Sequence, residues 1–384
     1  ASCDNITLKM PSSPIIKEKV TIDFSLNTIG DLIKLLNTHP YDEKCEYNID
    51  LKSLHQVKNE LEKLNNMIGM ETVKTAVLQQ MIYFIQELHI GLPGGGGSKT
   101  GEDFKKGNSI HPPSPSSSSA SSSATTTLIS NIVNDVSLSS PSVPQYSNDY
   151  KHTVITGPPG TGKTEMAKII GNMYAKLGVL KKNIFKKVTR TDLVAGYLGQ
   201  TAIKTKKVID ECLGGVLFID EAYAFGDDSF SRECMDILCE SMSDHKDDLM
   251  VIIAGYETEL NETFLKLNSG MESRFIWRFK IDSYSPKELK LIFEKQVLDN
   301  GWEFSEEYVI PEVWFIKNKD HFLHFGRDME ILFSYIKISH ALRIFGKDIS
   351  LKRKITEMDV ENGLKTFLQN KKTKKTEYLH AMYV

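Results

Sequence analysis

Eight consecutive residues, Gly157-Pro158-Pro159-Gly160-Thr161-Gly162-Lys163-Thr164, carry the most specific chemistry in the chain. They fill every fixed position of the pattern G-x-x-x-x-G-K-[ST]. They also stand between an apolar run, Thr153-Val154-Ile155, and a helical pattern that starts at Glu165. A glycine-rich turn can aim its backbone N–H groups inward, because glycine accepts conformations that a side chain forbids. The N-terminus of the following helix adds partial positive charge. Together they form a cradle for the phosphates of a nucleoside triphosphate. Lys163 would reach the β- and γ-phosphates, and the Thr164 hydroxyl would help hold Mg²⁺.

A second constellation lies downstream. The continuous apolar run Val216-Leu217-Phe218-Ile219 ends on Asp220-Glu221. A carboxylate at the C-terminal end of a buried strand, Asp220, can hold Mg²⁺ through the water shell of the ion. Glu221 beside it is placed to polarise an attacking water, so hydrolysis of ATP rather than binding alone is expected. Upstream, Ile68 and Gly69 could give an adenine ring an apolar wall, although an ordinary helix–helix turn explains the same spacing.

These residues need elements to hold them. Residues 1–50 are weakly patterned, with a short helix over 29–36 that Pro40 ends, and are consistent with a docking arm or a leader to another domain. From Leu51 to Leu88 apolar residues recur at helical spacing, interrupted at Met67-Ile68-Gly69-Met70. Residues 91–149 hold the glycine run Gly94–Gly97 and the serine tract Ser116–Ser123. Such a composition buries too little apolar area to offset the entropy of ordering, so it reads as a disordered insertion within a domain.

After the glycine-rich turn, helices are predicted over 165–177, 202–213, 231–242 and 260–267, with Gly214-Gly215 stopping the second. They alternate with strands over 184–188, 216–219, 249–254 and 275–281. That alternation predicts a doubly wound α/β core with ligands at the C-terminal strand ends. Ser285 with Pro286 and Glu288 gives a strong helix start. Helices then follow over 286–300, 308–317, 327–343 and 358–369, a small all-helical domain. The predicted organisation is a segment of unknown role (1–50), the nucleotide-binding domain (51–284), the helical domain (285–370) and a solvated tail (371–384).

Composition narrows the alternatives. The net charge is −3, which gives no support to a nucleic-acid grip spread over the surface. No apolar run reaches the ~18–20 residues of a membrane span, and no export signal is apparent. The chain opens on Ala1 rather than Met, as a fragment or processed form would. Five scattered cysteines without C-x-x-C spacing read as reduced thiols, hence a cytoplasmic or other reducing compartment.

Further stretches make the comparison specific: Asp192-Leu193-Val194-Ala195-Gly196-Tyr197-Leu198-Gly199-Gln200-Thr201, Gly214–Tyr223, Asp247–Tyr256 and Gly270-Met271-Glu272-Ser273-Arg274-Phe275. With Ile68–Lys74 they resemble the AAA+ ATPases, in the subgroup of CbbX (the red-type rubisco activase), the sporulation protein SpoVK and the type VII secretion ATPase EccA. The resemblance implies a P-loop AAA+ sheet domain followed by a helical lid, binding ATP and Mg²⁺. It implies that Tyr197-Leu198-Gly199 is a pore loop gripping a polypeptide and that Arg274 is an arginine finger completing a neighbour's site. Arg327, in Phe325-Gly326-Arg327-Asp328, matches the lid arginine that senses the γ-phosphate. Where many such proteins end the fourth strand on Asn or Thr, this chain has Ala254-Gly255-Tyr256, leaving Tyr256 as a weak candidate for the polar sensor. The implied function is an ATP-hydrolysing ring, a hexamer of this chain, that remodels or partly threads a protein client. A nucleic-acid motor or loader and a nucleotide-switched scaffold are the alternatives. The acidic balance and aromatic pore loop oppose the first, and the intact Asp220-Glu221 pair opposes the second.

Overall fold

The computed structural model describes residues 17–86, 88, 150–197, 199–306 and 308–382, with backbone alone from 372. The insertion 91–149, Leu198, Cys3 and the last two residues of the tail lie outside the described residues.

Ahead of the insertion the chain forms β1 (Glu18–Val20), α1 (Ile29–Thr38), β2 (Cys45–Tyr47), α2 (Leu51–Gln56), α3 (Lys58–Asn65) and α4 (Glu71–Ile85). Thr28 starts α1 with a reciprocal capping box to Asp31. Strands β1 and β2 pair in parallel over three residues each, too short for a periodic signal in the sequence. Residues 17–50 fold onto the rest: Ile22, Ile29, Leu32 and Leu36 share one buried cluster with Leu61, Val77 and Ile155.

The α/β core follows as β3 (Thr153–Thr156), α5 (Lys163–Lys176), β4 (Phe185–Val188), α6 (Arg190–Leu193), α7 (Gln200–Asp210), β5 (Val216–Ile219), α8 (Ser229–Asp244), β6 (Met250–Gly255), α9 (Glu257–Glu262), α10 (Ser269–Arg274) and β7 (Trp277–Lys280). The five strands are all parallel in the order β4-β5-β6-β3-β7. Their side chains alternate between two cores, as a pleat buried on both faces requires. Ile155, Phe218, Ile252 and Ala254 pack toward α4 and α5, while Val154, Leu217, Ile219, Val251 and Ile253 pack toward α7 and α8.

Two local readings change. Where the sequence suggests a helix over 260–267, α9 ends at Glu262, and α10 starts anew because Asn268 Oδ1 accepts from Gly270 N at 2.8 Å. Gly214-Gly215 lies beyond the end of α7 and serves the entry to β5 instead. Gly214 has φ +92°, and a Cβ on Gly215 would stand 2.5 Å from Ile184 O.

The lid comprises α11 (Pro286–Asp299), β8 (Glu303–Phe304), α12 (Glu312–Asn318), α13 (Phe325–Ile344), β9 (Lys354–Ile355) and α14 (Glu357–Met382). It is helical around its own core of Leu289, Phe293, Phe315, Leu332 and Phe333, with a two-residue parallel ladder, β8 with β9, added. Ser285 and Glu288 form the expected capping box at α11. Helix α12 starts four residues later than the sequence suggests, after Pro311, which disfavours a helical residue before it.

Trp277 joins segments distant in sequence. Its Nε1 donates to Tyr150 O at 3.1 Å, just ahead of β3, and its ring lies 5.9 Å from Tyr83 and 6.1 Å from Phe84 in the last turns of α4.

His152, fully buried ahead of β3, accepts a hydrogen bond from Val251 N at Nδ1 (3.0 Å). Burial, with the Lys151 and Arg274 charges adding, pushes its pKa down to about 3. The folded state therefore holds it neutral, while the unfolded chain takes up a proton below about 6.5. Stability is retained above that pH and lost as pH falls toward 3, by about 2 kcal/mol between pH 7.5 and pH 5. His152→Asn, whose Oδ1 can keep the bond to Val251, should flatten this part of the curve in urea unfolding at the two pH values. An unchanged slope would show that other groups set it.

Candidate active site

Because β3 lies between β6 and β7, the turn that follows it opens at the C-terminal edge of the sheet, beside the end of β6 and one strand removed from the end of β5. Residues 157–162 make this turn with Gly160 at φ +75° and Gly162 at φ +86°, both left-handed. Gly162 heads α5 without a side-chain cap, so the first-turn N–H groups of that helix are left for a ligand. Gly157 N donates to Gly255 O at 3.2 Å, tying the turn to β6. Thr161 Oγ1 donates to Pro158 O at 2.8 Å, closing it.

Lys163 folds back over this turn. Its Nζ donates to Gly157 O (2.8 Å) and Pro158 O (2.7 Å), and stands 5.9 Å from the Tyr256 ring centroid. Burial pulls its pKa below the usual ammonium value; nearby Asp220 opposes that pull and Arg327 adds to it.

Asp220 extends the β5 ladder by one residue, its N–H donating to Val188 O at 2.9 Å. Glu221 then takes a left-handed backbone, φ +52°, and its N–H donates to Asp220 Oδ1 at 3.0 Å. A non-glycine residue there costs on the order of 1 kcal/mol and breaks the strand direction, leaving Glu221 exposed on the cleft. A 3₁₀ turn, Ala222–Ala224, follows and packs Tyr223 against Tyr256 with centroids 5.3 Å apart.

The cleft has a volume of about 660 Å³. Along it meet Pro159–Thr164 of the turn and α5, Asp220 and Glu221, Tyr256, Ile68 and the lid's Arg327. Ile68 is joined by Met67 as apolar lining. Gly69 follows Ile68 but is not among the residues lining the cleft. It has φ +67°, and a Cβ there would come 2.3 Å from Glu288 Oε1, so it lets the linker pass the start of α11.

Several lid residues that the motifs do not reveal complete the cleft. Ile292, Gln296 and Asp299 lie along one stripe of α11, at the four- and three-residue steps of a helix face. Tyr284 Oη donates to Thr161 O at 3.1 Å, and Gly326 N donates to Gly160 O at 3.0 Å. The lid thus holds the glycine-rich turn at two backbone carbonyls. A Cβ on Gly160 would meet His324 O at 1.9 Å, so glycine here serves the lid contact as well as the left-handed turn.

Arg274 and Tyr197 are not among the residues lining this cleft. Arg274, half-buried at the end of α10, donates from Nε and Nη2 to Ser243 Oγ (3.0 and 2.7 Å) and from Nη1 to Gly270 O (2.7 Å). Tyr197, in the connection between α6 and α7, is 73% exposed, and Gly199 after it has φ +77°.

Known proteins resemble this chain along the same stretches. The sequence model of the ATPase family associated with various cellular activities (AAA) matches residues 153–278. A putative cfxQ-like protein, R730, of Acanthamoeba polyphaga mimivirus is 32% identical over 379 residues, 97% of this chain and 79% of that protein. The ESX-1 secretion system protein EccA1 of Mycobacterium tuberculosis (strain H37Rv) is 48% identical over 145 residues, 36% of this chain and 25% of EccA1. Stage V sporulation protein K of Bacillus subtilis is 38% identical over 159 residues, 41% of this chain and 49% of that protein. The match to these two bacterial relatives therefore spans half of their length or less.

Proposed function

This chain belongs to the AAA family of ATPases, in the group of the CfxQ-like, SpoVK and EccA proteins, and from that premise we propose that it works as a ring, a hexamer of its own copies, remodelling a protein client by ATP hydrolysis. The observation that carries the reading is the division of its functional side chains. Lys163, Thr164, Asp220, Glu221 and Arg327 share one cleft, whereas Arg274 and Tyr197 stand apart from it. In this reading a neighbour brings Arg274 to the γ-phosphate bound in the cleft, and that makes assembly a condition of turnover.

Within the cleft, the uncapped start of α5 and the glycine turn bind the phosphates, Lys163 moves from its two loop carbonyls to the β- and γ-oxygens, and Arg327 reports their presence to the lid. Glu221 accepts the proton of the attacking water as the γ-phosphoryl group leaves ADP as inorganic phosphate. Thr164 and Asp220 offer the hard oxygen donors that suit Mg²⁺, an ion that keeps several waters and leans on substrate phosphates. Among the described residues no group of three or more His, Cys, Asp or Glu forms a separate metal cage. When bound, Mg²⁺ supplies neutralisation of phosphate charge. Burial pushes the thiols of Cys212 and Cys234 up to about 11, which keeps them protonated and unreactive.

Tyr197-Leu198-Gly199 is proposed as the client-gripping loop, with sequence-tolerant aromatic packing moved by lid and subunit rotation. Client capture tests this. Proteins retained by the ATP-loaded Glu221→Gln ring should be released by adding Tyr197→Ala. The Tyr197→Ala chain alone should keep basal ATP turnover within about twofold, because a solvent-exposed side chain away from the cleft carries little stability. Clients held equally well without Tyr197 would count against threading, and sedimentation of a monomer under turnover conditions would count against the ring.

A further inference from the structure

Asp220 is already paired with a cation from this chain. Lys187 Nζ lies 2.6 Å from Asp220 Oδ2, while the other carboxylate oxygen accepts Glu221 N–H. The register makes the contact. Lys187 is opposite Phe218 across the β4–β5 ladder, so it lies on the same sheet face as Asp220, one diagonal step along. Adjacent Lys186 goes elsewhere, pairing with Glu211. Asp220 is 20% exposed and Lys187 50% exposed, so the carboxylate is the sheltered member and the ammonium the one with water to return to.

We propose that Lys187 is a built-in stand-in for the divalent cation, neutralising Asp220 while the site holds no nucleotide and giving the carboxylate up when magnesium nucleotide binds. The inference rests on the ATPase reading and adds a residue to it that no motif contains. Three properties support exchange rather than permanent pairing. A compact ammonium on a four-carbon stem regains rotamer freedom on release, whereas a guanidinium would hold both oxygens in a fixed fork. The pair is partly solvated, so it is weak enough to yield. Asp220 would otherwise have to face a divalent ion and the Lys187 ammonium at once, and their mutual repulsion favours departure of the one that water can take back. While the pair lasts, Asp220 is a weaker repellent for incoming phosphate. Lys187 therefore raises affinity for metal-free nucleotide and raises the Mg²⁺ concentration the site demands.

Equilibrium binding of a fluorescent N-methylanthraniloyl ADP to the whole chain, with Mg²⁺ titrated at low ionic strength, reads both effects without turnover. Lys187→Met should lower half-saturating Mg²⁺ by about two- to fivefold and weaken binding in EDTA by a similar factor. Lys187→Arg should restore or exceed the wild-type Mg²⁺ requirement, and salt should shrink every difference. A purely structural lysine would shift thermal stability in the variants and leave the Mg²⁺ midpoint in place. An unmoved midpoint, or one raised by Lys187→Met, overturns the proposal while leaving the ATPase reading intact. Failure of the wild-type chain to bind the probe at all would overturn both.

Discussion

Replacing Arg274 with alanine should leave ATP binding intact and reduce turnover by about 10³-fold or more, the usual worth of an arginine supplied across a subunit boundary to a phosphoryl-transfer site. The structure sets the terms of the test. Within one chain the guanidinium donates to Ser243 Oγ and Gly270 O and lies 5.7 Å from the Tyr150 ring, so its local work is to fasten the end of α10 to α8. If that clamp were its whole contribution, Arg274→Ala would cost stability and leave folded enzyme active. Two measurements separate the cases. Ser243→Ala removes the principal local acceptor while keeping the guanidinium, and should retain most turnover. Mixing Arg274→Ala with Glu221→Gln subunits should recover activity, because one supplies the base and the other the arginine to the same interface. Full turnover by Arg274→Ala alone, or no recovery on mixing, would sink the shared-site reading.

Glu221→Gln should keep nucleotide affinity within about threefold and slow phosphate release by about 10²–10⁴-fold, the range for loss of a positioned general base. Glutamine preserves the size of a side chain whose backbone is already in the left-handed region, so the turn after β5 should survive the change. Asp220 should then behave differently from its neighbour. Asp220→Asn removes the partner of Lys187 and the metal-facing charge together, so it should impair Mg²⁺-dependent binding before any catalytic step. Filter binding with single-turnover phosphate release distinguishes the two. Turnover within threefold of wild type in Glu221→Gln would move the base to another residue, with Tyr256 and Glu330 on the same cleft as the next candidates.

The parts of this site legible in the sequence are those in which function is local to a short run of backbone. The turn 157–164 is legible because glycine placement, the preceding strand and the following helix are contiguous, and Asp220-Glu221 because a buried strand announces its own end. The parallel sheet was legible from the alternation of apolar runs with helical spacing, and the α11 start from Ser285, Pro286 and Glu288. What escaped depends on which distant segments meet. Tyr284 and Gly326 grip Thr161 and Gly160 across more than a hundred residues of chain, and Lys187 reaches Asp220 only through the β4–β5 register. Gly69 illustrates the same limit, since its left-handed backbone (φ +67°) beside Tyr284 and Glu288 depends on how this segment meets the start of α11. Strands β1 and β2 are too short to carry a period and are held by pairing with each other and by Val20 and Tyr47 packed against the buried cluster.

Trp277 has a use outside catalysis. Its indole hydrogen-bonds the backbone just ahead of β3 and packs on the aromatic side chains at the end of α4, so the two sides of the long insertion are fastened to one residue of a central-sheet strand. The indole thus holds the end of α4 and the approach to β3 to the start of one strand, at the end of β3 opposite the cleft, so Trp277→Ala should loosen both segments together.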